Sequence, residues 1–250
     1  MKSPVETTKA FANGAKARVN SRLPSLIILG LFAGVYSGFG GLGAQVVQAN
    51  VSGGIGKVLS SFVFPVGSIL IICCGGFLFT GNCLMMIGYR TRNITLRELI
   101  RYLTIAYLSN FAGCLAVVLL VYLSGMAQGT LKEVMVQMAL NKISYRFTEA
   151  LSKGILCAVL VNLGAWLSFA GDTMGEKVVG VFFPTMLFFL CGMEQCITNM
   201  YFIPMGMLLS EEVTLMGFVQ NLIPVTIGNV IGGGLVVGMG YWNAFIRYKA

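Results

Sequence analysis

The chain has 250 residues, 56% of them hydrophobic and only 10% charged, with a mean hydropathy of +0.82. Soluble domains carry about 25% charged residues, so an ordinary soluble protein is excluded and a multi-pass membrane protein is indicated. The net charge of +8 fits Lys and Arg gathered in the loops on one membrane face rather than a nucleic-acid partner. Histidine is absent, which removes imidazole metal ligands, general bases and pH switches together. No metal and no cofactor is expected. The seven cysteines all fall in apolar segments and read as small, buried, reduced packing residues rather than disulfides.

Residues 1–22 are mixed and charged and lack the apolar region of a signal peptide. They are expected to form a cytoplasmic amphipathic helix. Apolar runs bounded by charges then mark six spans, Leu23–Val47, Leu59–Tyr89, Leu99–Ser124, Ala150–Ala170, Val178–Leu209 and Val213–Phe245. They form one transmembrane domain over 23–245, followed by a cytoplasmic tail at 246–250. An even count puts both termini on one side, and that side holds twelve of the 17 Lys and Arg residues. The positive-inside rule makes it the cytoplasm. In span one, Gly38 to Gly43 match the dinucleotide fingerprint formally, but no strand precedes them. Gly30, Gly34 and Gly38 instead form a stripe that lets membrane helices approach closely.

Spans two and five are too long for one straight crossing of about 20 residues. Span two is interrupted at Cys73-Cys74-Gly75-Gly76 and restarts near Thr80, followed by Gly81-Asn82. Span five is interrupted at Cys191-Gly192 and restarts near Thr198, followed by Asn199. Gly permits the irregular backbone, and Thr is a natural helix cap. Cys74-Gly75 and Asn82 recur at the same spacing as Cys191-Gly192 and Asn199, and Phe64-Pro65 resembles Phe183-Pro184. Two broken spans at matching places suggest an inverted repeat with the pathway where the breaks meet. Irregular backbone at membrane depth survives only inside protein or along a cavity, and the positive ends of restarted helices favour anions. Glu194 is a costly mid-membrane carboxylate. It either caps the restarted helix or takes part in transport directly. The polar segment from Ala127 to Arg146 reads either as a solvated loop or as a vestibule wall in which Lys142 concentrates anions.

These features resemble the formate/nitrite transporter family. The resemblance is carried by Leu78-Phe79-Thr80-Gly81-Asn82, by Gly192 through Gly206, and by Lys142 through Phe147, Glu149 and Gly154 to Cys157. It implies an aquaporin-like protomer with six transmembrane helices, the second and fifth broken, assembled as a homopentamer in the inner cell membrane. It implies one pore per protomer for formate, nitrite, lactate or hydrosulfide. Thr80 would be the polar contact of the first break, and Leu78 and Phe188 the apolar constrictions. Lys142 would be the vestibule lysine, with Glu194 and Asn199 holding the second break and Gly75, Asn82 and Gly192 supporting both. Three positions depart from the family pattern: Gln195 replaces the usual histidine, Cys74 an aromatic, and Ala158 an asparagine. Asn162, one turn beyond Ala158, is a candidate pore-lining substitute.

A bare anion crossing an apolar constriction faces a large desolvation cost, which protonation removes. Formate is therefore the expected substrate, passing as its neutral acid, with Gln195, which does not titrate, expected to donate an amide N–H to the substrate and to accept a hydrogen bond from Thr80. A water or glycerol facilitator is the competing class, but the breaks read Thr-Gly-Asn and Ile-Thr-Asn rather than Asn-Pro-Ala. No nucleophile–base pair or cofactor motif supports an enzyme.

Overall fold

A computed structural model describes residues 1–248, and all the regular structure among them is helical. Helix α1 (Pro4–Val19) opens with a reciprocal cap in which the Ser3 hydroxyl accepts from the Glu6 amide and Glu6 accepts from the Ser3 amide. Pro4 sits at the first helical position, where its missing N–H costs nothing. The helix buries Phe11, Ala12 and Ala15 against the bundle, and the Trp166 indole donates to Thr8 Oγ1 at 3.1 Å.

Span one is α2 (Leu23–Asn50). Span two comprises α3 (Gly53–Val63), α4 (Pro65–Cys73), α5 (Phe79–Asn82), a 3₁₀ turn at Cys83–Met85, and α6 (Met86–Arg90). Span three is α7 (Leu96–Leu123), and α8 (Gly129–Ile143) follows it. Span four is α9 (Phe147–Ala170). Span five is α10 (Met174–Leu190) followed by α11 (Cys196–Leu209). Span six begins as α12 (Leu215–Val230) and continues through a π-helical stretch, Ile231–Met239, toward Arg247. Among the described residues, five helical stretches are long and apolar enough to cross a membrane, namely α2, α3 with α4, α7, α9, and α12 on to Arg247, and α11 is a shorter apolar helix. The tail expected at 246–250 lies only partly within the described residues.

The polar segment after span three is a helix rather than a loop. Only Met135 and Ala139 of α8 are fully buried, facing α11, with Leu131, Met138, Leu140 and Ile143 partly buried beside them, so its sequence shows a narrow apolar stripe next to exposed polar residues. The cysteines are all free, but Cys74 and Cys191 are exposed rather than buried. The paired prolines also differ in effect: Pro65 starts α4, whereas Pro184 lies inside an unbroken α10.

Two equivalent pairs frame the molecule, α2 against α7 and α9 against α12. The glycine stripe of span one lies in the first interface, where a side chain on Gly34 would strike the backbone of Asn110 and one on Gly113 the carbonyl of Leu31. In the second interface Gly228 meets the Leu151 carbonyl, and Gly232 the Ile155 carbonyl, in the same way. Gly113 and Gly232 each lie three residues after an asparagine, Asn110 and Asn229.

Candidate functional site

Both breaks are built alike. Just past the ends of α4 and α10, Gly75 (φ +82°) and Gly192 (φ +65°) take the left-handed conformation that glycine tolerates. The amides of Gly76 and Met193 reach back to the carbonyls of Ile71 and Phe188 at 2.8 and 3.0 Å, closing each helix with the same terminal motif. The chain then runs extended through Leu78 and Gln195, and the helices restart at Phe79 and Cys196.

Threonine does not cap the restarts, and neither does Glu194. Each first amide is taken by an asparagine from a neighbouring helix. The Phe79 amide donates to Asn110 Oδ1, and the Cys196 amide to Asn229 Oδ1, both at 2.9 Å. Asn110 Nδ2 donates to the carbonyls of Gly30 and Phe77, and Asn229 Nδ2 to those of Gly154 and Glu194. One carboxamide thus joins three chain segments in each half. These two residues were not singled out from the sequence, although the repeated Asn-x-x-Gly in spans three and six marks them.

Glu194 is held by side chains. Its Oε1 forms an ion pair with Lys142 Nζ at 2.9 Å, and its Oε2 accepts from Asn199 Nδ2 at 2.7 Å. Asn221, also not anticipated, donates to the Lys142 carbonyl at 2.8 Å and accepts from Asn199. Lys142 therefore ties α8 to the second break, with its ammonium also 5.2 Å from the centre of the Phe202 ring. Removing either partner of so enclosed a pair would strand a charge. Lys153 supports the same turn by donating to the Gly192 carbonyl at 3.2 Å.

Asn162 is not a pore-lining residue here. It is fully buried, and its amide is used up by backbone: Oδ1 accepts from the Leu84 amide, and Nδ2 donates to the carbonyls of Thr80 and Ala158. It satisfies the backbone where span two tightens into its 3₁₀ turn. Asn82 donates back to the Leu78 carbonyl at 2.7 Å.

Two cavities approach the breaks from opposite sides. One, of about 400 Å³, is lined by Lys57, Lys142, Phe188, Glu194, Thr198 and Phe202 among others. Phe188, one of its lining residues, is 1% exposed and packs edge-on to Phe64 at 5.4 Å. The other, of about 50 Å³, is lined by Leu78, Asn82 and Thr185, and α1 contributes Phe11 and Arg18. A further cavity of about 300 Å³ lies beside it and holds Lys2, Arg18 and Lys177. Lys57 and Lys142, assigned to one face from the sequence, and Lys2, Arg18 and Lys177, assigned to the other, line separate cavities.

Thr80 and Gln195 meet between them. Gln195 Nε2 donates to Thr80 Oγ1 at 3.0 Å, and both residues are buried. Neighbours of Thr80 line the small cavity, and neighbours of Gln195 line the large one. This bond joins the two breaks through side chains. The amide donates rather than accepts, so the threonine hydroxyl hydrogen remains available to a solute.

Comparison with known proteins agrees with this architecture. The formate/nitrite transporter family model matches residues 5–243. A probable formate transporter of Methanothermobacter thermautotrophicus is 32% identical, with 98% of each chain covered. The formate channel FocA of Escherichia coli K12 is 35% identical over 78% of this chain and 76% of its own. Among solved structures, an FNT family ion channel superposes with a TM-score of 0.91 at 24% identity, covering 96% of this chain and 98% of its own. A pentameric formate channel with formate bound gives 0.82 at 28% identity, covering 91% and 98%. This multi-pass membrane chain therefore belongs to the formate/nitrite transporter family, whose members are anion channels and transporters rather than enzymes.

Proposed function

We propose that the protein passes small monovalent weak-acid anions, formate foremost, as the neutral acid, through a pore in each protomer of a homopentamer. Six spans cross the inner cell membrane, with α10 and α11 together making the fifth crossing and both termini in the cytoplasm. The cavity holding Lys142 then opens outward, and the one under α1 faces the cytoplasm.

The observation that carries this reading is the buried hydrogen bond between Thr80 and Gln195, whose chain neighbours line one cavity that includes Phe188 and another that includes Leu78. It is a polar station of two neutral side chains between apolar barriers. A carboxylate there would have lost its water shell and gained no counter-charge, which is costly. A protonated carboxylic acid donates its O–H to the Gln195 carbonyl and accepts from the Thr80 hydroxyl. The proton is collected from water in the outer cavity, where the positive end of Lys142 favours the anion until it is neutralised. Because Lys142 is paired with Glu194 at 2.9 Å, its attraction is short-ranged, and Lys57 adds the longer-ranged positive field.

Proteoliposomes offered formate, nitrite, lactate and hydrosulfide, with and without an inward proton gradient, test the reading. Formate uptake is expected to be fastest and to rise with the gradient. Rapid water permeation in stopped-flow without anion flux would identify a neutral-solute facilitator instead.

A further inference from the structure

The end of span six carries a cationic and aromatic cluster away from the two breaks. Trp242 is half-buried there, with the guanidinium carbon of Arg90 4.3 Å from the centre of its ring and that of Arg247 at 5.6 Å. Arg90 belongs to α6, so two guanidiniums from distant parts of the chain share one indole. Arg247 also approaches the Tyr248 ring at 5.3 Å. Contact with an aromatic face stabilises the charge but satisfies none of the five N–H donors of a guanidinium. The buried Nε of Arg90 has no partner, and the contact of Arg247 Nη1 with Asn243 Oδ1 is long, at 3.5 Å. Like charges gathered on one ring repel unless something negative joins them.

No carboxylate of the described residues does so. Neither arginine forms an ion pair among them. Four carboxylates share the side of the membrane given to these arginines in the topology proposed above, and each is engaged elsewhere. Glu6 and Glu98 cap α1 and α7, Asp172 pairs with Lys2, and Glu176 caps α10. Around the cluster, Tyr241 and Phe245 pack against Trp166 at 5.1 and 6.4 Å, and Tyr248 is exposed. Tyr and Trp gathered at the end of a span mark the level of the lipid headgroups. Leu235 and Val236, about two turns earlier in the same span, are exposed apolar surface at the depth of acyl chains.

We propose that Arg90, Trp242 and Arg247 form a binding site for the phosphate of an anionic phospholipid in the cytoplasmic leaflet. The site rests on the transport topology above only for the choice of leaflet. The phosphate oxygens accept from both guanidiniums, the indole holds the two cations at headgroup level, and the acyl chains run along Leu235 and Val236. Arginine suits phosphate because its planar fork can donate two N–H bonds at once. Basic pockets beside membrane helices on the cytoplasmic side bind such headgroups. A bound lipid thereby ties the end of span two to the end of span six.

Native mass spectrometry of the full-length protein, titrated in detergent with phosphatidylglycerol or phosphatidylethanolamine of matched acyl chains, tests the site. Wild type is expected to bind phosphatidylglycerol the more tightly. Arg247→Gln should weaken that binding about fivefold, the scale of one cation at an anionic surface, and the double variant Arg90→Gln/Arg247→Gln about 25-fold. Arg247→Lys should keep most of it, and Lys132→Gln, on the opposite face, should leave it unchanged. Equal affinity of wild type for the two lipids overturns the site, as does unchanged phosphatidylglycerol binding in the double variant. If the double variant does not fold, Arg247→Gln alone decides, because Arg247 is exposed. Glycerol phosphate binding as tightly as phosphatidylglycerol would show a soluble phosphate site and overturn the lipid assignment. The leaflet has its own readout. With Cys74 and Cys191 replaced by serine, Tyr248→Cys should be protected from a membrane-impermeant maleimide in intact cells. Labelling there overturns the cytoplasmic placement and the transport topology, while preferential binding of phosphatidylglycerol keeps the lipid site standing.

Discussion

Asn229→Ala is expected to collapse the second break and abolish flux. The lost carboxamide leaves the Cys196 amide and the carbonyls of Gly154 and Glu194 without their partner. Each unsatisfied buried group costs about 1–3 kcal/mol, and with partial relaxation the sum should exceed about 3 kcal/mol. Thermal unfolding in detergent should record a large drop, and proteoliposome flux should fall to background. Asn110→Ala should do the same to the first break, because its bonds to Phe79, Gly30 and Phe77 are equivalent. The exposed Asn50, bonded only to the Val46 carbonyl of its own helix, is the control and should change stability by no more than about 0.5 kcal/mol. Near-wild-type stability of both Asn110→Ala and Asn229→Ala would show that the breaks are held by something other than these carboxamides.

Gln195→His is expected to place a titrating group at the polar junction. The neutral imidazole replaces the amide as a partner of Thr80 and should conduct. Once protonated, it holds the anion between Phe188 and Leu78, and conduction needs binding weak enough to leave. Flux should therefore fall about tenfold as pH drops through the new midpoint. Burial disfavours the charged imidazole, so that midpoint lies at or below about 6.5. A Gln195→His profile identical to that of the wild type would remove this position from the pathway.

Much of the frame was legible in the sequence because it rests on local chemistry. Glycine at a left-handed position must terminate a helix, and Gly75 and Gly192 do so at matching places. The stripe of Gly30, Gly34 and Gly38 announces close helix packing, and in the structure these residues meet α7. The pairing of Gln195 with Thr80 was also foreseeable once the two breaks were set side by side, though its direction was not: the amide was expected to accept from the hydroxyl and instead donates to it.

What was misread depends on long-range partners. Thr80 and Thr198 looked like caps because capping is ordinarily a local act, yet Thr198 bonds only the Gln195 carbonyl and the caps come from α7 and α12. Glu194 looked like a cap for the same reason, whereas its oxygens face Lys142 and Asn199. Asn162 matched a pore position by helical spacing, but the 3₁₀ turn of span two leaves backbone groups that claim its amide. Helix α8 was obscured because a helix lying over the outside of a bundle needs only a narrow buried stripe.

The central claim is that a centre without a titrating side chain passes a weak acid by protonating the solute rather than the protein. Formate uptake by wild-type proteoliposomes between about pH 4 and pH 8 tests it most directly. The account predicts flux that rises smoothly as pH falls, following the neutral acid, with no step near the histidine range of about 6.5. A sharp loss of conductance with a midpoint in that range would contradict it.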